Sequence, residues 1–297
     1  MGGISPLLAY AFSLLNGKRG ISGWQWIFII EGAITIALGV IAWFFIPDFP
    51  DQNRFLTSDE TALVLKRIED DRGDSIPDSI TREKVFKHLG DWTLWAYGTM
   101  FLCTSLSNYA QAYFISIILE GLGYSAKKAL LLSAPPYIPT IATTLFFSWI
   151  SDKTKHRGSF IVIQALIGLV GLTLTAFAHD NHVRYLGTFL INAGGSGNVP
   201  AILTYASNNV VSHSKRSVQS ALTVSLGGLS GIIATTVYRA KDAPHYRPGL
   251  SVSIGAQGVL IILVGMTTWH FNRLNRLSRE GKLAKPLEGQ PGFFYTL

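Results

Sequence analysis

Charge is what this sequence has least of. Only 14% of its 297 residues are Asp, Glu, Lys or Arg, against about a quarter in an ordinary soluble domain. The charges it does have are bunched. Eighteen lie in residues 48–91 and seven in residues 273–297, leaving 18 for the other 228 residues. A globule in water needs polar surface all round, so the composition excludes a soluble fold. The single cysteine, Cys103, excludes an internal disulfide framework and a cysteine-based metal site. Catalytic motifs are also missing. Around Ser196 the chain reads Gly194-Gly195-Ser196-Gly197-Asn198, one residue out of register for a nucleophile elbow. Gly17-Lys18-Arg19-Gly20 is a short basic turn and not a phosphate loop. His179 and His182 frame a brief connection between apolar stretches, which reads as an exposed interfacial turn rather than a zinc site. No enzyme, cofactor or metal is expected.

What is present is a series of long uncharged windows: 1–17, 32–47 (20–47 if Glu31 is admitted), 92–119, 129–151, 158–179, 185–214, 217–238 and 248–272. A spanning helix needs about 20 apolar residues, and all but the first window reach that. A membrane β-barrel would instead show short alternating segments. The expected fold is therefore all-α, a polytopic membrane protein. Lys and Arg set its orientation. Alternate connections hold 17 basic residues on one side and 8 on the other, so residues 48–91 and 273–297 are expected to be cytoplasmic. The net charge of +7 then reports topology and requires no nucleic acid. Ala9-Tyr10-Ala11 mimics a signal-peptide cleavage site, but Lys18 and Arg19 follow the apolar run instead of preceding it.

The windows suggest four regions: 1–47, a hydrophilic linker 48–91, a bundle 92–272 and a tail 273–297. In the linker, Thr57-x-x-Glu60 forms a capping box, and its helix is expected to run to about Asp71 and stop at Gly73. A second helix over 81–89 carries Val85, Phe86 and Leu89. It reads either as an amphipathic helix on the inner leaflet or as a solvated connector.

Polar residues inside apolar windows need a partner or water. Thr104, Asn108 and Gln111 fall on one helical face, as do Asn192 and Ser196, with Gly195 beside them. Gln219, Thr223, Gly227 and Ser230 make a third stripe; Thr140, Thr144 and Ser148 make a fourth. These stripes either line a solute cavity or join helices by hydrogen bonds, and for Asn108 and Gln111 the cavity is the favoured reading. Glu31 is the one carboxylate within an apolar stretch. It is a candidate proton carrier if buried, or else a helix tie or an interfacial group near Trp24 and Trp26. Pro135, Pro136 and Pro139 interrupt the fourth window, and Gly227-Gly228-x-x-Gly231 suits close helix approach in the seventh.

At 151–158 the chain reads Ser-Asp152-Lys153-Thr-Lys155-His-Arg157-Gly. This resembles the acidic-and-basic cytoplasmic loop of the major facilitator superfamily. Three further stretches narrow the resemblance: Gly23-Trp24-Gln25-Trp26-Ile27-Phe28-Ile29-Ile30-Glu31-Gly32, Asn208-Asn209 followed by His213 and Lys215-Arg216, and Asp242-Ala243-Pro244-His245-Tyr246-Arg247-Pro248-Gly249. Together they look like the fungal allantoate permease family of anion:cation symporters. The resemblance implies twelve spans, of which about eight are here, aligned with the fifth to the twelfth, so the chain reads as N-terminally truncated. It also implies that Asp152 caps a helix end and Arg157 pairs across the loop. Tyr205 stands where many relatives have tryptophan. By the same resemblance, a plasma-membrane carrier is expected, taking up a small organic anion (allantoate, ureidosuccinate or a vitamin acid) with protons. The alternative is a non-transporting membrane regulator built from a transporter half.

Overall fold

The computed structural model describes residues 5–13, 15–48, 52, 55–72, 79–121, 123–242 and 246–297. The described residues form helices and turns and no strand. They fall into two compact units, Gly3–Pro77 and Asp78–Leu297.

In the first unit, the first uncharged window is described as a nine-residue helix, α1 (Ser5–Ser13). The chain turns through Gly17 and Gly20, both at positive φ, a conformation that glycine adopts without steric cost. Helix α2 (Gly23–Phe45) then starts on two caps. The Gly23 amide donates to Asn16 Oδ1 at 2.8 Å, and the Ser22 amide to Gln25 Oε1 at 2.9 Å. These bonds satisfy donors that a helix start would otherwise orphan. α2 is long and apolar enough to cross a membrane, yet only Gly23 is buried in it. Helix α3 (Ser58–Arg72) opens on the expected box: the Thr57 amide and hydroxyl each donate to Glu60 Oε2 at 2.9 Å. Its expected stop, Gly73, lies outside the described residues.

The second unit holds α4 (Arg82–Leu89), α5 (Trp92–Gly121), α6 (Ala126–Ser133), α7 (Ile138–Thr154), α8 (Arg157–Phe177), α9 (Asn181–Asn208), α10 (His213–Val237) and α11 (Arg247–Arg279). α6 and α7 share one window, broken at Pro135–Tyr137 because proline lacks the amide that continues a helix. α9 lies against α8, α5 and α7, α5 also against α10 and α11, and α8 against α11. Where α5, α8, α9 and α11 meet, Tyr97, Met100, Ile161, Ile202, Tyr205, Leu260 and Phe271 form the core. Tyr205 stands edge-on to Tyr97 at 5.7 Å and donates to Thr267 Oγ1 at 3.4 Å.

The α8–α9 crossing is built on glycine. A Cβ on Gly171 would lie 2.6 Å from the Ile191 amide nitrogen, and one on Gly194 would strike the backbone at Gln164 and Gly168. The expected close approach at Gly227 is different in kind, since the space there is filled by the Phe101 ring and not by a neighbouring backbone. A Cβ at Gly228 would meet nothing. Close backbone approach therefore belongs to α8 and α9, and α10 instead makes room for an aromatic ring.

Among the described residues, five stretches are long and apolar enough to span a membrane: α2, α6 with α7, α8, α10 and α11. α5 and α9, at 30 and 28 residues, have the length but not a window of that apolarity. Both lie at the centre of the bundle, where polar side chains find partners. On α4, Val85 and Leu89 are partly buried while Phe86 is 75% exposed. The three do not act as one membrane-facing set, because α4 packs on α10 and His88 Nε2 meets Ser214 Oγ at 3.0 Å.

Candidate functional site

Three of the polar candidates come together where α5 meets α9. Asn108 Nδ2 donates to the carbonyls of Thr104 and Gly195, each at 3.2 Å. Gln111 Nε2 and Asn192 Nδ2 both donate to the Thr188 carbonyl, at 3.4 and 3.1 Å. Asn108 and Gln111 thus reach backbone oxygen atoms of α9 and join the two helices whatever else they do, while the Asn192 bond stays within α9. Gln219 and Thr223 stay together on α10, with Gln219 Nε2 donating to Thr223 Oγ1 at 3.1 Å. Ser196 is half-buried. The Thr104 hydroxyl and the Gln219 carbonyl oxygen are buried without a partner among the described residues. On α7, Thr143 Oγ1 reaches the Ala193 carbonyl of α9 at 3.4 Å. A cleft of about 210 Å³ lies apart from the α5–α9 seam, between α7, α8 and α9, where Ser148, Asp152, Arg157, Gln164 and Thr204 line it.

Reading one helix at a time missed the pair that joins α11 to α5, Gln257 Nε2 to Ser107 Oγ at 3.1 Å. Both residues were visible as polar groups in uncharged windows, but a stripe sought along one helix does not show a pair made across two.

For Glu31 the burial on which a proton role would depend is not seen within its own unit. Its side chain is exposed on α2, because α2 packs only on α1 within its unit. A proton role that depends on desolvation therefore has no support in this packing.

The loop after α7 holds the expected ion pair, Arg157 Nη2 to Asp152 Oδ1 at 2.6 Å. The capping role assigned to Asp152 is not seen. Asp152 sits in the last turn of α7, and His156, at the start of α8, makes no side-chain cap. The turn is made by Lys155 at φ 57°, and Lys153 Nζ lies 5.3 Å from the Trp149 ring.

A second ionic cluster was not anticipated. Lys215 Nζ binds Asp91 Oδ2 and Glu288 Oε1, both at 2.8 Å, and the Tyr295 hydroxyl donates to Glu288 Oε1 at 3.0 Å. Burial pushes the Asp91 carboxyl up. Its bonds to Lys215 and Thr93 outweigh that and hold it below the usual carboxylate range. Burial and the Glu288 carboxylate raise the Tyr295 phenol above its ordinary value. The segment after α11 is pinned further by paired backbone bonds, Asn275 to Tyr295 and Asn209 to Thr296, at 2.7–3.1 Å. Tyr295 stacks on Phe271 at 4.3 Å. In the sequence Lys215 is one of the basic pair Lys215-Arg216, and its acidic partners stand far away along the chain.

Long helices joined by polar seams, several of them apolar enough to cross lipid, define a polytopic helical membrane protein. Residues 1–235 match the model of the Major Facilitator Superfamily, and the chain belongs to that superfamily. It is 29% identical to the MFS transporter prlL of Fungal sp. (strain NRRL 50135), over 93% of this chain and 56% of that one. It is 30% identical to the major facilitator-type transporter hxnP of Emericella nidulans, over 96% and 58%. With the MFS-type transporter cnsO of Penicillium expansum the identity is 27%, over 94% and 57%. The chain thus spans little more than half the length of these relatives.

Proposed function

We propose that this chain serves membrane transport, as part of a carrier that takes up a small organic anion together with protons. The observation that carries the transport reading is superfamily membership, with relatives whose names call them transporters. The anion class rests on the likeness of residues 23–32, 208–216 and 242–249 to anion:cation symporters. The candidate solute contacts are Thr104, Asn108, Gln111, Asn192 and Ser196 of α5 and α9, with Gln219 and Thr223 of α10; Thr104 and Gln219 hold oxygen atoms unpartnered among the described residues. The basic linker and tail are proposed to face the cytoplasm of a plasma-membrane protein. The proposed regions are 1–47, 48–91, 92–272 and 273–297.

Proteoliposomes containing the chain test this. Uptake of a labelled carboxylic acid is expected to rise when the outside is acidified. Uptake indifferent to the proton gradient rejects coupling. A chain that inserts stably but moves none of the acids favours a second reading, a non-transporting membrane partner. That reading has its own support: Asn108, Gln111 and Asn192 are all engaged with backbone carbonyls.

A further inference from the structure

Arg184, in the first turns of α9, is 3% exposed. A guanidinium carries five N–H donors, and the bond its side chain makes is from Nε to the Thr175 carbonyl, at 3.0 Å. Its Nη2 is buried and has no partner among the described residues. Among the described residues no carboxylate pairs with it. A second cation, Arg247, which is exposed and begins α11, lies near enough to act on it electrostatically.

The backbone adds to the same sign. Both arginines lie at helix N-termini, the positive end of the helix dipole, where an anion is favoured and a cation is not. The nearby acid Asp180 is exposed, and its carboxylate is engaged with the His182 amide at 2.9 Å. Nor does the local packing leave the arginine loose. Its own carbonyl accepts from Thr175 Oγ1 at 3.3 Å, and a Cβ on Gly187 would lie 2.7 Å from the Gly171 carbonyl oxygen. The crossing therefore holds α9 against α8 and the guanidinium in place. Burying an unpaired charge is costly, and the cost falls when a counter-ion arrives.

We propose that Arg184 and Arg247 form an oxyanion site at the ends where α9 and α11 begin, taking a carboxylate or phosphate group. The open Nη2 donor of Arg184 meets an oxygen of the group, and Arg247 closes over it from the exposed side. The group comes either from a soluble anion or from a lipid headgroup. The site requires no solute transport by the chain, so its test is separate from the uptake assay.

The full chain in neutral maltoside detergent, stripped of lipid, is melted in chloride and then in acetate or inorganic phosphate at equal ionic strength. A second arm adds phosphatidylcholine. The melting midpoint is expected to rise in at least one arm. A rise with acetate or phosphate assigns a soluble anion, and a rise with the lipid alone assigns the headgroup. R184Q is expected to weaken the response by about tenfold in apparent affinity, the size of one charge-assisted hydrogen bond. R247Q, altered at an exposed residue, is expected to weaken it less and serves if R184Q does not fold. No rise in either arm, or an undiminished rise in R184Q or R247Q, overturns the proposal.

Discussion

α2 and α9 are both long helices, and the more apolar of the two is the less buried. α2 passes as a membrane span with none of its apolar window covered, and its Trp43, Phe44 and Phe45 are 84%, 77% and 80% exposed. α9 is more polar, yet it buries Gly187, Thr188, Asn192, Gly194, Asn198 and Tyr205. In lipid, hydrocarbon surface gains nothing from being covered by protein, because lipid tails are as apolar as leucine. Helices meet where small residues let backbones approach and where polar groups find partners. Hydropathy therefore marks the surface that faces lipid, and departures from it mark the surface that faces protein.

The sharpest break of that contrast is a pair of glycine substitutions. Gly171→Leu drives a side chain into the backbone at Ile191 and Gly187. Overpacking of this kind costs about 3 kcal/mol or more when neither backbone yields, so loss of monodisperse protein on size exclusion is expected. At Gly39, on α2, an added Cβ meets nothing within 4 Å, and Gly39→Leu improves helix propensity. Its melting midpoint is expected to equal or exceed that of the wild type. If both substitutions are tolerated, the α8–α9 crossing is not a fixed contact.

The next effect belongs to Lys215. Lys215→Met leaves Asp91 and Glu288 facing each other without their cation. Complete burial would make that worth 3–5 kcal/mol. The Asp91 side chain is 29% exposed, so about 2 kcal/mol is expected, read as a lower melting midpoint in detergent. The pH dependence follows from Asp91. Its folded-state value is held below the usual range, so its stabilisation is fully present above the unfolded value of about 3.9. It fades as pH falls through that value toward the lower folded one. The wild-type midpoint should therefore be flat with respect to this group above about pH 5 and drop below about pH 4, and Lys215→Met should flatten the drop. An unchanged acid profile in the variant would detach Asp91 from Lys215.

How far the sequence led depended on whether a signal was local. The capping box at Thr57 and Glu60, the break at Pro135–Tyr137 and the Asp152–Arg157 pair each lie within a few residues, and each appeared where expected. The ends of the uncharged windows likewise tracked most helix boundaries. What the sequence did not disclose was pairing between distant segments. Asp91, Lys215 and Glu288 are spread over almost 200 residues, and no periodicity links them. Gly171 and Gly194 are ordinary apolar-window glycines until their helices are laid together. Glu31 has apolar neighbours along the chain and is nonetheless exposed, because neighbours in sequence do not amount to burial. Arg184 lies between two uncharged windows, and the sequence marks where such a charge stands and not what covers it.

A smaller effect is expected along the polar seam. Asn108→Leu and Gln257→Leu each remove one bond between helices, and such bonds are worth about 0.6 kcal/mol on average in a membrane protein. If Asn108 also touches solute, uptake by the Asn108 variant should fall by far more than its stability does. A parallel loss of both would leave Asn108 as a helix tie.

The smallest effect tests the other side of the contrast. Phe44→Leu on α2 exchanges one apolar group for another on a face that no described residue of its unit covers. If that face meets lipid or detergent, both side chains sit in hydrocarbon of similar kind, and the midpoint should move by less than about 0.5 kcal/mol in equivalent stability. Should Phe44→Leu cost as much as Asn108→Leu, lipid cannot be the neighbour. The ring would then be filling a shaped protein surface, where losing part of an aromatic side chain leaves a void. α2 would join α9 among the helices buried in protein, and its high hydropathy would have to be explained by something other than lipid contact.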